Sequence, residues 1–471
     1  MIVLTIDLGT SATKVALWSD DVLAAFARAP ITTVHPAPGL AEQDPEEWWA
    51  STVAACAEVR AAAPDPFSRV EAIGFSAARE TFALVDEQLD PLTPGILWSD
   101  RRAEEQVPSL GDPDLFRSRT GVVAGAGAHA AKLAWFVDHD PDLFGSARWI
   151  LAPRDLVVAR LTGAVVTDET LASRTGLCEL GGWWRPEAVQ RYRERLPEIV
   201  LSSRVAGEVL PDVATDLGLP TGVQVVMGAG DRACEVLGVG ASPRTPMVSW
   251  GTTANVSVPH SGPANGLPTV AQVSRGALGG FVVEAGLSAA GAAIGWLASL
   301  TGRSHDDLLA AAAAVPPGAN GLVALPWLAG ARAPWWRADV HAAFLGLTEA
   351  HGPAELCRAI VEGIAFDVAR CVELIIPDAE VLALAGGGAG DELWRTVVAS
   401  VCDRPVVRRA LDDAASVGAR LVVSSAMGES HDLDHLNAIE SRTAPDAALV
   451  RAYAPLRATA DASASAVLDL G

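Results

Sequence analysis

The sequence predicts an α/β protein built as two domains of similar size. Three observations lead there. The chain has 471 residues, too many for one ordinary hydrophobic core. Apolar strand-like runs alternate with helical patterns along its length. A strand, a Gly-Thr turn and a second strand open the chain, and the same pattern returns near its middle.

Met1–Ile6 is apolar and β-branched, Asp7-Leu8-Gly9-Thr10 turns the chain, and Lys14–Trp18 is apolar again, so a hairpin opens the fold. Asp44–Val59 begins with Asp-Pro and spaces Trp48, Val53 and Cys56 as a helix does. Val70–Phe75 and Val223–Met227 read as buried strands. Met247–Trp250, Gly251-Thr252-Thr253 and Ala254-Asn255-Val256 then echo the opening, although two Gly-Thr turns also arise by chance in so long a chain. This echo sets the expected domains at 1–243 and 244–471. Beyond it, helices are expected over Leu287–Leu300, Pro353–Val372 and Glu392–Cys402, and a last one begins at Val417–Val423. Leu322–Leu328 and Val381–Leu384 are strand-like, and the Ala-, Ser- and Asp-rich Arg457–Gly471 is expected to fray.

Composition narrows the function classes. Acidic residues number 57 against 35 basic ones, a formal charge of -22, and no run of Lys and Arg interrupts it. Such a field repels nucleic acid and anionic membranes, so neither is an expected partner. An anionic ligand needs backbone N–H groups, a helix N-terminus or a metal to offset that sign. The six cysteines form no C-x-x-C pair and offer no zinc site or disulfide framework. No basic leader precedes Asp7 and no apolar stretch is long enough to span a bilayer, so a cytoplasmic location is expected.

Four segments could carry chemistry. Asp7-Leu8-Gly9-Thr10-Ser11 with Lys14 could hold phosphate through backbone N–H groups and hydroxyls, with Asp7 on Mg²⁺, or could be a plain hairpin turn. Gly228-Ala229-Gly230-Asp231-Arg232 puts a carboxylate after a Gly-rich strand end, either as general base or as a turn residue or helix N-cap. Gly386-Gly387-Gly388-Ala389-Gly390 leads into a helix, either to let a nucleotide lie against backbone or merely to turn the chain. Arg79-Glu80-Thr81 could clamp hydroxyl groups or form a solvated surface pair, and Trp98 could wall a polyol's carbon face or be a core indole.

Taken in order, these segments resemble the FGGY carbohydrate kinase family from Ile6 to about Val423. Pro38-Gly39-Leu40-Ala41-Glu42-Gln43-Asp44-Pro45 with Trp48-Trp49 resembles its P-G-x-x-E-Q-D-P-x-x-W-W stretch. Gly127–Asp138 approximates the first signature around Lys132, Leu133 and Trp135, departing at His129. The second signature is matched by Ala342, Phe344, Gly346-Leu347, Glu355-Leu356 and Ala359-Ile360-Val361-Glu362. Gly330-Ala331-Arg332-Ala333-Pro334 resembles G-E-R-T-P, and Gly386–Ala389 resembles the G-G-G-A adenosine loop.

The resemblance implies two actin-like (ribonuclease H-like) domains with an interdomain cleft, the sugar mainly on the first and ATP mainly on the second. Asp231 then matches the catalytic base and Asp7 the Mg²⁺-positioning residue. Thr10, Ser11 and Lys14 match one phosphate turn, Gly251 with Thr252 or Thr253 the other, and Gly386, Gly387, Gly388 and Ala389 the ATP loop. Arg79, Glu80 and Trp98 match the glycerol-kinase version of the substrate site. Arg232 stands where glycerol kinases have Gln and xylulokinases Asn, and Gly127 where glycerol kinases have Tyr. With small residues over Gly125–Ala128, this points to a roomier pocket for a longer polyol or a ketose. The expected reaction is phosphoryl transfer from ATP to a hydroxyl of a small sugar or polyol, and a homodimer is left open. An actin-like ATP-binding sensor would share Asp7 and the turns but has no use for Asp231 or Arg79-Glu80. A dehydrogenase would rest on the Gly-rich loops alone.

Overall fold

In the computed structural model the opening apolar run is strand β1 (Ile2–Leu8), buried along its whole length, and it pairs antiparallel with β2 (Ala12–Ser19). The structure describes residues 1–182, 184–262, 271–337, 339–430 and 432–469. Strand β3 (Val22–Pro30) adds to β2, and β4 (Ala72–Ala77) lies parallel to β1 on its other side. With β5 (Val205–Glu208) and β6 (Gln224–Val226) the order across the first sheet is β5-β6-β4-β1-β2-β3.

The second half repeats this order. Strands β7 (Met247–Trp250) and β8 (Ala254–His260) form the antiparallel hairpin, β9 (Gln272–Arg275) pairs with β10 (Phe281–Gly286), and β10 joins β8. Strand β11 (Leu382–Ala385) runs parallel to β7, β12 (Val406–Arg409) parallel to β11, and β13 (Ile439–Thr443) closes the edge. The run β3-β2-β1-β4-β6 is therefore matched by β10-β8-β7-β11-β12, with the same antiparallel and parallel pairings. The two Gly-Thr turns occupy equivalent corners of two equivalent sheets.

Helices cover the sheets. Helix α1 (Pro45–Ala62) is capped by the Asp44 carboxylate, which accepts from the Glu46 N–H, and it packs Trp48, Cys56 and Val59 against the first sheet. Helices α2 (His129–His139), α3 (Pro153–Thr162) and α4 (Asp231–Gly238) also belong to the first half, and α5 (Gly291–Thr301) opens the helical part of the second. Sequence periodicity places α5 four residues too early, because Leu287 and Ala290 spend their N–H groups on Ala254 O and Thr252 O. Helices α6 (Pro353–Ile375) and α7 (Glu392–Cys402) pack Ile360, Ile364 and Val368 with Val397 and Val398 in the second core. Helix α8 (Ala414–Ala426) belongs by sequence to the second half, yet its Val417, Val422 and Val423 pack with Val3, Trp18 and Ala72 of the first.

Helix α8 is not the last. Helix α9 (Ala447–Leu468) follows, so residues 457–468 are helical rather than frayed, while 470 and 471 lie outside the described residues. Alanine favours helix, and Tyr453, Ala460 and Ala464 give α9 a buried face. All six cysteines are buried free thiols, and no described helix is long and apolar enough to cross a membrane.

Candidate active site

The site is assembled from the ends of the repeated strands. After β6 the chain turns at Gly228 and enters α4 with Asp231 as its first residue. Gly230 holds the N-cap position, so Asp231 is not the cap that its sequence context also allowed. Its carboxylate is 39% exposed, and Oδ1 lies 3.0 Å from Arg79 Nε and accepts from the Arg232 N–H at 2.6 Å.

Asp231 lines a cavity of about 210 Å³ together with Thr10, Arg79, Glu80, Trp98 and Arg232 from the first half and Thr253 from the second. Arg79 and Glu80 do not pair with each other on a surface. Arg79 donates two bonds to Glu284 on β10, at 2.8 and 3.1 Å, while Glu80 accepts from Arg174 Nε at 3.0 Å and Nη2 at 2.5 Å. Glu80 adopts a φ of 60°, which turns neighbouring side chains toward different partners. Trp98 is no core indole: it is 41% exposed, and its Nε1 donates to Thr10 Oγ1 at 3.3 Å.

Arg174, Gln272 and Glu284 also line it and escaped sequence reasoning, while Asn255 and Arg332 fall in segments singled out above without a site role. Glu284 is almost fully buried. Burial alone would raise its pKa, but Arg79, then Arg174 and Arg232, hold it well below the ordinary carboxylate range. Its signal was available, since Phe281–Gly286 is an apolar strand carrying a single carboxylate.

Beneath the substrate segments lies Lys132, with no exposed surface. Its Nζ donates to Leu97 O at 2.5 Å and Glu80 O at 3.4 Å, tying the Arg79–Thr81 loop to the backbone beside Trp98. Burial lowers its pKa from 10.5 to about 8, with Glu80 and Asp100 opposing. The unfolded chain therefore binds the extra proton between pH 8 and 10.5, and stability rises with pH across that window. The integrated gain is about 3 kcal/mol, and it should be absent from Lys132→Met. Urea unfolding below pH 8 and at pH 10.5 reads the difference; equal pH dependence in the two proteins would mean that Lys132 keeps its ordinary pKa in the fold.

Asp7, Ser11, Lys14, Gly251, Thr252 and Gly386–Ala389 do not line that cavity. Lys14 is held between Asp7 Oδ2 at 3.1 Å and Asp413 Oδ1 at 3.2 Å. Asp7 Oδ1 is buried and accepts no hydrogen bond, and burial pushes the Asp7 pKa up against the pull of Lys14. Glu235, one turn beyond Asp231, pairs with Arg232 Nη1 at 2.6 Å; burial raises its pKa against the pull of Arg232, and the charges of Asp231 and Asp7 add to the rise. In the second half, α5 starts against the Gly251–Thr253 turn, with Gly291 N–H donating to Gly251 O at 2.9 Å. Gly386, at φ 83°, lies so close to β7 that a Cβ there would sit 2.5 Å from Trp250 O. The Gly-rich loop is thereby seated beside the second Gly-Thr turn.

Two α/β sheets of one topology, with polar strand-end loops from both around a common cleft, define an actin-like two-domain fold of the kind that handles phosphate. The chain belongs to the FGGY family of carbohydrate kinases: residues 2–238 match the family's N-terminal domain and residues 247–427 its C-terminal domain. It is 32% identical to a xylulose kinase of Escherichia coli and 31% identical to a glycerol kinase of Trichlorobacter lovleyi, each match covering over nine-tenths of both chains (96% and 92%). Solved structures agree in fold. A xylulose kinase of Rhodospirillum rubrum superposes with a TM-score of 0.90 at 27% identity over 100% of this chain and 99% of that one. A Brucella ovis kinase described as a xyloylose kinase gives 0.91 at 26% over 100% of both. The protein is a carbohydrate kinase, an enzyme that transfers phosphate from ATP to a sugar or polyol.

Proposed function

We propose that this kinase phosphorylates a primary hydroxyl of a small open-chain polyol or ketose, with Asp231 as general base. The observation that carries this is the convergence of Asp231, Arg79, Glu80 and Trp98 with Thr10 and Thr253 on one cavity. Arginine donates to hydroxyl oxygens, glutamate accepts from hydroxyl protons, and the exposed indole face covers C–H groups. Relatives are named xylulose, glycerol and gluconate kinases, which share polyhydroxylated chains as substrates.

In the transfer, the substrate oxygen forms a bond to the γ-phosphorus as the bond to the departing ADP oxygen breaks, and the hydroxyl proton passes to Asp231. The N–H groups and hydroxyls of Thr10 and Ser11, and of Thr252 and Thr253, present donors to the phosphates from the two sheets, while the Gly251 N–H closes its turn on Thr253 O at 3.0 Å. Gly386, Gly387, Gly388 and Ala389 leave room for the adenosine to lie on backbone. Lys14 keeps the first turn's cation close while neutralising Asp7 and Asp413. The unpartnered Oδ1 of Asp7 fits a Mg²⁺ ion or one of its waters, and positive charge there would offset the burial of that carboxylate. Among the described residues no three His, Cys, Asp or Glu side chains converge to cage a metal. Asp7 would meet the ion directly or through one of its waters, as suits an ion held mostly by water and phosphate. When bound, the ion supplies charge neutralisation to the phosphate oxygens.

An ADP-release assay across glycerol, tetritols, pentitols and ketoses tests the proposal. ADP release should depend both on a polyol or ketose and on a divalent cation. Equal ADP release with no acceptor present would favour the ATP-binding sensor instead.

A further inference from the structure

Behind Asp231, on the side away from the cavity, lies a polar network that neither the turn motifs nor the substrate loop explains. Arg154 on α3 has no exposed surface; its Nη1 donates to Met227 O at 2.9 Å and Gly228 O at 3.3 Å, and its Nη2 to Asp168 Oδ1 at 2.8 Å. Asp168 is equally buried, and its Oδ2 accepts from Thr170 N at 2.8 Å, Thr170 Oγ1 at 2.5 Å and Ser202 Oγ at 2.7 Å. Thr170 Oγ1 in turn accepts from the Gly230 N–H at 2.7 Å.

The direction of each bond is fixed by chemistry. A backbone N–H only donates, so the Thr170 oxygen must accept from Gly230, and its one hydrogen goes to the Asp168 carboxylate. Gly230 is the N-cap of α4, the residue immediately before Asp231. Its N–H is sealed from water, so this hydroxyl is what satisfies it. Gly228, at φ 69°, approaches so near that a Cβ would meet Phe75 O at 1.9 Å, which leaves the loop little room to settle elsewhere.

We infer that Thr170 is a positioning residue for the reaction: through the Gly230 N–H it sets where Asp231 stands relative to the attacking hydroxyl. The inference rests on Asp231 being the base. Asp231 reaches the cavity from a helix start; Ala229 and Gly230 before it pair with Ser76 and Ala77, and its carboxylate meets Arg79 and its own helix backbone. Removing the hydroxyl leaves a buried N–H without an acceptor, and the loop must shift to find one. A displacement on the order of 1 Å at a reacting group costs about 10²-fold in rate.

Thr170→Val, which keeps the shape, should lower kcat by about 10²-fold and leave the KM for ATP within about twofold. Thr170→Ser restores the hydroxyl and should recover kcat to within about threefold. Ser202→Ala removes another hydroxyl from the same carboxylate without touching Gly230, and should change kcat by less than about threefold. If Thr170→Val does not fold, Thr170→Ala takes its place in the same comparison. Near-normal kcat in Thr170→Val overturns the inference, as does an equal loss in Ser202→Ala, which would mark the network as structural support alone. The parallel measurement on Asp231→Asn separates the two layers. An inactive Asp231→Asn with an active Thr170→Val sinks the positioning role only; an active Asp231→Asn sinks both.

Discussion

Asp231→Asn is expected to lower kcat by roughly 10²-fold or more, with the KM for ATP little changed. Asparagine keeps the size and planar shape of the side chain, and its amide oxygen can still accept from the Arg232 N–H and lie beside Arg79 Nε, as Oδ1 does. What it loses is the ability to take up the hydroxyl proton as charge develops on the attacking oxygen. The side chain is partly exposed and starts a helix, so little core packing depends on it. Folding and nucleotide binding should therefore survive, and the defect should lie in turnover. Steady-state kinetics with saturating ATP, beside nucleotide titration of the variant, checks both halves. Turnover close to wild type would remove Asp231 from the base role.

The parts of the site that were legible in the sequence are those whose chemistry is local. A Gly-Thr turn between two apolar runs shows itself within about ten residues, because strand period and turn chemistry are short-range. The same holds for Gly228–Asp231 and Gly386–Ala389, where Gly228 and Gly386 are required because a Cβ would run into the backbone of Phe75 and Trp250. Long-range electrostatics were not legible. Arg79-Glu80 read equally well as a surface pair, and what makes it otherwise is Arg174, 94 residues beyond Glu80, and Glu284, 205 residues beyond Arg79. Helix α8 shows the same limit for packing: its apolar face is plain in sequence, but that it covers the first sheet is decided by the path of the chain after β12. The frayed tail failed for a different reason. Ala-rich composition suggests weak order, yet Ala is the strongest helix former and small residues suit a close-packed face.

Glu284→Gln should be the most destabilising single substitution around the cleft, at roughly 3–5 kcal/mol, because it breaks a buried charge cluster from one side. In the wild-type protein the Glu284 carboxylate takes two bonds from Arg79 and lies 3.4 Å from Arg174 and 3.7 Å from Arg232. A glutamine can accept with one atom only, and its amide hydrogens would face guanidinium donors. Arg79 and Arg174 are then left buried with less negative charge than they require. The sign of the pH dependence follows from the depressed carboxylate. Its contribution is present in full above the unfolded value of 4.5 and is lost as pH falls through the lower folded value. The stability gap between wild type and Glu284→Gln should thus be widest near neutrality and narrow in acid, as the wild-type carboxylate takes up its proton. Because Glu284 comes from the second sheet and its arginines from the first half of the chain, the same substitution should loosen Arg79 in the cavity and raise the KM for the sugar or polyol more than that for ATP. Urea unfolding at neutral and acid pH measures the first effect and steady-state kinetics the second. A gap below about 1 kcal/mol at neutral pH would mean that the three arginines are solvated well enough to do without this carboxylate, as exposed pairs are.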